Sequence, residues 1–369
     1  MRRNSNEFVV VYGGQWGSEG KGQVLAAITR DTLARPHAEI VGYGVRVGGP
    51  NAGHTVRAKD GGMVNIQSIP SMCYAHPDEI TPVIGAGGMV NPHVLQNEIA
   101  MLRDQGFTGK VLVDPNTMVV QQKHIAEEHE AHLDEHIGST REGVGAALAE
   151  KIRRQPGVIT IGNWHHPPSS LCEHIEVVDT VRLLNDAEVP IFVEGTQGYL
   201  LSIHTSGYYP FCTSRECGPE GILADVGLTP RAFRNPEIVG VFRTFPIRVG
   251  GNSGGLPNEV DWVYMAQHHG VTTPERTTVT NRIRRIAKWD IETVIRVVRE
   301  TRPTCLAITF LDYLFPHTQY VRDQRGLMGH AQDAWDWIQE VEEATGTSVR
   351  YVSTGPGQEN TFRIDTIPF

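Results

Sequence analysis

Residues 8–12, Phe-Val-Val-Val-Tyr, run directly into Gly13-Gly-Gln-Trp-Gly-Ser-Glu-Gly-Lys-Gly22. An apolar, β-branched run that ends in glycines and a lysine, and then turns helix-periodic over 20–30, predicts a buried strand, a tight turn and a helix. Such a turn is a ready anion site. Its glycines let backbone N–H groups converge, and the following helix aims its positive end at the same point. The run departs from the Walker A pattern, because five residues separate Gly14 from Gly20-Lys21 and Gly22 stands where a hydroxyl residue is required. The plain alternative is a strand-to-helix connection whose glycines only relieve crowding.

The same alternation continues along the chain. Strands are predicted at 8–12, 39–41, 81–84, 110–113, 157–161, 189–193, 238–242, 305–309 and 349–352. Helices are predicted at 20–30, 93–105, 142–153, 179–185, 291–300 and 333–345. Strand–helix alternation over the whole length implies an α/β fold, a mostly parallel central sheet covered by helices. In such sheets ligands gather beyond the carboxyl ends of the strands, which is where the Gly-rich run lies. No linker or composition break divides the 369 residues. One domain is expected, with large loop and helical excursions, the helical part at about 90–185.

A net charge of −9 argues against nucleic acid as a partner. The five cysteines, Cys73, Cys172, Cys212, Cys217 and Cys305, form no CxxC pair, which suits a reducing compartment and offers no metal signature. Without an apolar leader or a run of about 20 apolar residues, a soluble cytoplasmic protein is expected, with no membrane partner.

Further segments carry polar groups between small residues. Gly48-Gly-Pro-Asn-Ala-Gly-His-Thr55 exposes Asn51, Ala52, Gly53, His54 and Thr55 to close approach. Ile137-Gly-Ser-Thr-Arg-Glu-Gly-Val-Gly145 places Ser139 and Thr140 before a helix, and the basic cluster 151–154 ends in Arg154; hydroxyls there either cap or bind phosphate. Glycines bracket Gln197 in Val193-Glu-Gly-Thr-Gln-Gly-Tyr-Leu-Leu201, and Tyr209-Pro-Phe-Cys-Thr-Ser214 follows. In Thr278-Val-Thr-Asn-Arg-Ile-Arg-Arg285 the guanidiniums suit a dicarboxylate, since each matches a carboxylate with two parallel bonds. Asp312, after the run 308–311, is either a helix cap or a partner for the N1–H and 2-amino donors of guanine. Each segment alone also fits a solvated loop.

Together, and in order, they resemble the adenylosuccinate synthetase family. Its Q-W-G-D-E-G-K-G appears as Gln15-Trp-Gly-Ser-Glu-Gly-Lys-Gly22, its N-A-G-H-T as Asn51-Ala-Gly-His-Thr55, and its G-T-T-G-R-G-I-G, blurred, as Gly138-Ser-Thr-Arg-Glu-Gly-Val-Gly145. Its E-G-A-Q-G is Glu194-Gly-Thr-Gln-Gly198, its Y-P-x-x-T-S is Tyr209-Pro-Phe-Cys-Thr-Ser214, its R-V-G is Arg248-Val-Gly250, and its S-T-G-P is Ser353-Thr-Gly-Pro356. The resemblance implies a P-loop-NTPase-like fold and a two-step ligation. A nucleoside triphosphate phosphorylates the purine 6-oxygen, and the amine of L-aspartate then displaces that phosphate, with Mg²⁺ offsetting charge. By matching positions, His54 is the acid at the 6-oxygen and Lys21 holds the triphosphate with Gly17, Glu19, Gly20 and Gly22. The Gly53 carbonyl and Ser18 face the metal. Asn51, Thr140 and Thr213 hold the acceptor's 5′-phosphate, with Arg154 supplied by the partner of a homodimer, and Ala52, Thr55, Ser139, Leu201, Val249 and Gly250 are further nucleotide- or phosphate-binding positions. Gln197 lies at the 6-position. Thr280, Asn281, Arg282 and Arg284 line the aspartate pocket. Phe310, Asp312, Ser353, Gly355 and Pro356 receive the donor base.

Three departures matter. The family's catalytic Asp is Ser18, which is a poor base and a weaker metal ligand. Its shorter, uncharged side chain opens room for the 2-amino group of guanine, and serine here resembles the phage-type branch of the family, which joins aspartate to dGMP to give N6-succino-2-amino-2′-deoxyadenylate for DNA containing 2-aminoadenine. In that case the cytoplasm is a host's. The alternatives are an enzyme acting on IMP and a non-catalytic purine-nucleotide sensor. Phe310 replaces the family's lysine, so ATP or dATP is expected as donor, with GTP left open by Asp312. Asn281 replaces a glycine of the aspartate loop.

Overall fold

The computed structural model describes residues 7–34 and 42–365. At its centre, Phe8–Gly13 is buried at all six positions. Its side chains alternate between two cores: Val9 and Val11 enter one layer, while Phe8, Val10 and Tyr12 enter another. A strand covered on both faces has no use for polar alternation, which is why it reads as an unbroken apolar run.

Ten strands form the main sheet, in the spatial order Thr361–Arg363, Val349–Ser353, Cys305–Thr309, Pro236–Arg243, Phe8–Gly13, Ile191–Glu194, Gly42–Arg46, Ile80–Ile84, Val111–Val113 and Ile175–Val177. All neighbours pair in parallel except Val349–Ser353 with the terminal Thr361–Arg363. The sheet is therefore mostly parallel, as expected. Lys21–Leu33 and Pro92–Asp104 contribute Val24, Leu25, Ile28, Leu95, Ile99 and Leu102 to one apolar layer. Ile291–Thr301 and Gln332–Thr345 pack into a second. The first of these buries Val294, Val297, Val298 and Thr301, the spacing of one helix face.

Differences from the expected elements have local causes. Residues 157–161 form no strand of the sheet; Thr160 makes an isolated bridge with Met118 and opens the turn Ile161–Asn163. The expected strand at 39–41 lies outside the described residues, and the strand that pairs there, Gly42–Arg46, begins with glycines that hid it. Its Gly44 faces Met72 and Cys73, where a Cβ would come within 3.0 Å of both sulfurs. The helices Gln122–Glu130, Pro219–Val226 and Trp262–His269 went unread, as did the strand Ile175–Val177. Among the described residues no helix is long and apolar enough to cross a membrane.

Candidate active site

Three neighbouring strands, Phe8–Gly13, Gly42–Arg46 and Ile191–Glu194, deliver their carboxyl ends to one place. Past the first, the Gly-rich turn passes through positive φ at Gly17 (92°), Ser18 (58°) and Gly20 (86°) before Lys21 opens the helix. That helix has no side-chain cap. Its first turn, through Gly20, Lys21, Gly22 and Gln23, lines a cavity of about 490 Å³. Uncapped N–H groups facing a cavity make an anion site of the expected kind.

The turn also carries its own anion. Glu19 is fully buried, accepts the N–H of Gly17 at 2.7 Å and of Gln15 at 3.2 Å, and takes the Lys21 ammonium at 2.6 Å. A second donation from Lys21 goes to the Gln197 carbonyl. Two of the glycines exist for this carboxylate: a Cβ on Gly13 would lie 2.3 Å from Glu19 Oε2, and one on Gly198 2.5 Å from Oε1. Expected as a phosphate contact, Glu19 is in this structure the counterion of Lys21.

His54 opens the strand His54–Arg57, and its Nδ1 meets the carboxylate of Glu194. Arg46 lies 2.8 Å from the same ring nitrogen and donates to the Ala52 carbonyl at 2.7 Å. Glu194 also accepts the amide and hydroxyl of Ser71, both at 2.7 Å. Burial and the Arg46 guanidinium hold the imidazole down at about 4, against the opposite pull of Glu194. The ring is thus neutral with no ligand present, and its Nε2 is the atom left for a substrate. Incoming phosphates would raise its proton affinity. Arg46, Ser71 and the role of Glu194 were missed. A sequence signal was available for Glu194 alone, which directly follows the run predicted as a strand at 189–193.

The cavity joins residues from distant segments: Ser18, Lys21, Gly53, His54, Thr55 and Arg284, together with Phe310, Asp312, Ser353, Gly355, Pro356, Met63, Tyr313 and Tyr320. Phe310 carries the buried Arg243 guanidinium 3.8 Å above its ring, so one face of the expected purine platform is taken. Arg243 also pairs with Glu275 and donates to the Ser18 carbonyl at 3.1 Å. Gln23 fixes the 355–361 segment through the carbonyls of Gly355 (2.9 Å) and Gly357 (3.0 Å). Burial raises Asp312 to about 6.

A second cavity of about 340 Å³ gathers Trp16, Asn51, Ser139, Thr140, Gln197, Leu201, Thr213 and Val249. The side-chain amide oxygen of Asn51 is buried there with no hydrogen-bond partner among the described residues. Glu128 sits beside them, accepting the amides of Gly143 (2.9 Å) and Gly145 (2.8 Å). It therefore fills the start of Val144–Arg153, where sequence alone suggested phosphate.

The remaining expected residues are placed otherwise. Gly250 lines neither cavity; a Cβ there would lie 2.1 Å from the Ile283 carbonyl oxygen. Thr280 bonds Thr277 at 2.7 Å inside its own loop, Arg282 bonds Asp134 at 3.0 Å, and Arg284 alone of that group reaches the larger cavity. Asn281 has φ 53°, which accounts for the glycine it replaces: asparagine is among the residues that best tolerate that region. Arg154 is exposed at the end of Val144–Arg153, lining neither cavity of its own chain.

For Mg²⁺, no cluster of three or more His, Cys, Asp or Glu side chains able to hold a metal occurs among the described residues. The Ser18 hydroxyl and the Gly53 carbonyl share the wall of the larger cavity with Lys21. Such a sparse set of neutral oxygens fits an ion that keeps waters and is bound mainly through substrate phosphates.

Comparison with known proteins bears on the family and the fold. The adenylosuccinate synthetase family model matches residues 10–166 and 169–320. The adenylosuccinate synthetase of Methanocaldococcus jannaschii is 34% identical over 355 residues, 95% of each chain, and that of Pyrococcus horikoshii 32% identical over 97% of this chain and 99% of its own. Among solved structures, the succinoaminodeoxyadenylate synthetase of cyanophage S-2L, bound to dGMP and dATP as an energy donor, superposes with a TM-score of 0.77 at 27% identity, covering 98% of this chain and 96% of its own. The fully ligated adenylosuccinate synthetase of Plasmodium falciparum, 18% identical, gives the same TM-score over 98% of this chain and 100% of its own, a likeness of fold. The chain belongs to the adenylosuccinate synthetase family, ligases that form a C–N bond with use of a nucleoside triphosphate.

Proposed function

We propose that this ligase joins L-aspartate to the 6-position of dGMP. A nucleoside triphosphate, ATP or dATP, phosphorylates the 6-oxygen, and the amine then displaces that phosphate to give N6-succino-2-amino-2′-deoxyadenylate for 2-aminoadenine DNA. The observation that carries this reading is Ser18. It stands where the family's QWGDEGKG motif has its acid, with a small, uncharged and exposed side chain. A longer, charged aspartate there would crowd the 2-amino group of guanine, whereas the shorter hydroxyl leaves room for that group and accepts a hydrogen bond from it. A partner for that group also penalises IMP, which lacks it. The likeness to the cyanophage enzyme, solved with dGMP and dATP, supports the same acceptor and donor.

In this reading Gln197 meets the 6-oxygen edge, Asn51 and the hydroxyls of Ser139, Thr140 and Thr213 hold the 5′-phosphate, and the partner chain of a homodimer supplies Arg154. His54, oriented through Nδ1 by Glu194, presents Nε2 to the oxygen being phosphorylated. Lys21 exchanges Glu19 for the donor's phosphates. Arg282 and Arg284 take the carboxylates of aspartate. Mg²⁺, held through Ser18 and Gly53, would supply charge neutralisation at the transferring phosphoryl group.

A second reading has IMP as acceptor, favoured by relatives at 32–34% identity that are adenylosuccinate synthetases. The test is one assay. Purified protein, Mg²⁺, L-aspartate and ATP are offered dGMP or IMP, with succinyl-nucleotide and phosphate release followed. Turnover with dGMP is expected. Turnover with IMP alone removes the leading reading, and binding without turnover points to a purine-nucleotide sensor.

A further inference from the structure

One acidic side chain lies between the two substrate regions with no role in the reaction as described. Asp134 belongs to the short helix Leu133–Ile137, which continues into Gly138, Ser139 and Thr140 along the wall of the smaller cavity. Its carboxylate is shared by two arginines. Arg282 donates Nη2 to Oδ2 at 3.0 Å, and Arg141 brings Nη1 to 3.1 Å from Oδ1. The Asp134 side chain is 12% exposed, whereas those of Arg282 and Arg141 are 35% and 30% exposed. Arg141 directly follows the hydroxyls assigned to the acceptor's phosphate, and Arg282 belongs to the loop assigned to aspartate. A second clip holds the same helix: the side-chain amide of Asn252 donates to the carbonyls of Glu135 (3.2 Å) and His136 (3.0 Å).

Asp134 engages one nitrogen of the Arg282 guanidinium. A guanidinium offers five donors in a fixed fork, so an edge is left for a two-bond match with a further carboxylate. A partly exposed side chain held at one corner, with an edge left open, is oriented for a ligand rather than consumed by its partner.

We propose that Asp134 is a positioning residue for the amino-acid substrate. It turns Arg282 so that its open edge meets a substrate carboxylate, and through Arg141 it makes that orientation depend on occupancy of the acceptor's phosphate site at Ser139 and Thr140. The proposal rests on the reading of Arg282 as an aspartate-binding residue. By linkage the effect runs both ways: acceptor tightens aspartate, and aspartate tightens acceptor.

The test is a grid of initial rates over L-aspartate and acceptor, with the donor varied in turn at saturating acceptor and aspartate, for wild type, Asp134→Ala, Asp134→Asn, Arg141→Met and Arg282→Met. In wild type the KM for aspartate falls as acceptor rises. Asp134→Ala raises the KM for aspartate about 10-fold at saturating acceptor, with kcat and the donor KM within about 2-fold, and abolishes the dependence on acceptor. Asp134→Asn recovers part of the loss, because its amide oxygen still accepts from Arg282. Arg141→Met removes the acceptor dependence while changing the saturating KM less. An unchanged or lower aspartate KM in Asp134→Ala overturns the proposal, as does an equal rise in all three KM values, which marks a merely structural residue. If Arg282→Met leaves the aspartate KM unchanged, the assignment of Arg282 fails and the proposal with it. If Arg282→Met raises that KM and Asp134→Ala does not, the inference alone fails.

Discussion

At the scale of single residues, three side chains test the proposed reaction. Ser18→Asp restores the family's acid, and we expect dGMP turnover to fall by at least about 10-fold through crowding beside the 2-amino group. Unchanged or improved dGMP turnover counts against the contact. His54→Asn is expected to lower kcat by about 100-fold or more, the usual worth of a positioned proton donor, with the donor KM little altered. Asp312 sets a pH dependence. Burial raises it to about 6, so it is neutral below that pH and ionised above. A carboxylate is needed to accept from guanine N1–H and its 2-amino group, so with GTP as donor the KM should rise as pH falls through 6. Stability has the opposite sense. The neutral acid favours the fold, so its contribution is complete below the unfolded value of about 4 and disappears as pH rises through 6. Asp312→Asn should therefore raise Tm more at pH 8 than at pH 5, and flatten the GTP profile; equal shifts at both pH values would contradict the assignment. Lys21, His54 and Gln197 were legible because small residues flank them. Glu19, Arg46 and Ser71 were misread or missed because their work is to hold other side chains, and a sequence does not show which charges face each other.

Elements were legible where burial leaves a pattern. The run at 8–12 and the helix face of Val294, Val297 and Val298 announce themselves by period. Gly42–Arg46 does not, since two of its five residues are glycines, Gly42 hemmed in by Ile80, Phe192 and the Pro190 carbonyl and Gly44 by the sulfurs of Met72 and Cys73. The same closeness predicts a sensitive position in the first turn. Gly13→Ala would drive a methyl into the Glu19 carboxylate. We expect destabilisation of about 1–3 kcal/mol, read as a lower denaturant midpoint, together with a weaker grip on the donor as Glu19 shifts from Lys21. Gly61→Ala is the control. Its φ of 86° also strains alanine, but nothing lies within 4 Å, so it should lower stability without touching the donor KM.

For the whole molecule, the parallel sheet explains why segments from residue 13 to residue 356 meet. Strands that all point one way bring their loops to one edge, and chain order is irrelevant there. The resemblance to the family was visible from scattered motifs for that reason, whereas the assembly was not, because Arg154 shows only that it points away from its own cavities. If the partner supplies it, Arg154→Ala and Lys21→Ala are each inactive, yet an equal mixture, refolded or co-expressed, regains about a quarter of wild-type activity: half the dimers are mixed, and each has one intact site. No recovery would mean that Arg154 acts within its own chain, and full activity of Arg154→Ala alone would mean that it has no part in the site. The fully buried Glu19 bears on how the whole machine cycles. An empty pocket never leaves Lys21 a bare cation, so an arriving triphosphate swaps one counterion for another instead of quenching an unsatisfied charge. That trade keeps the hold on the donor moderate, and it gives the spent diphosphate a rival already in place to evict it.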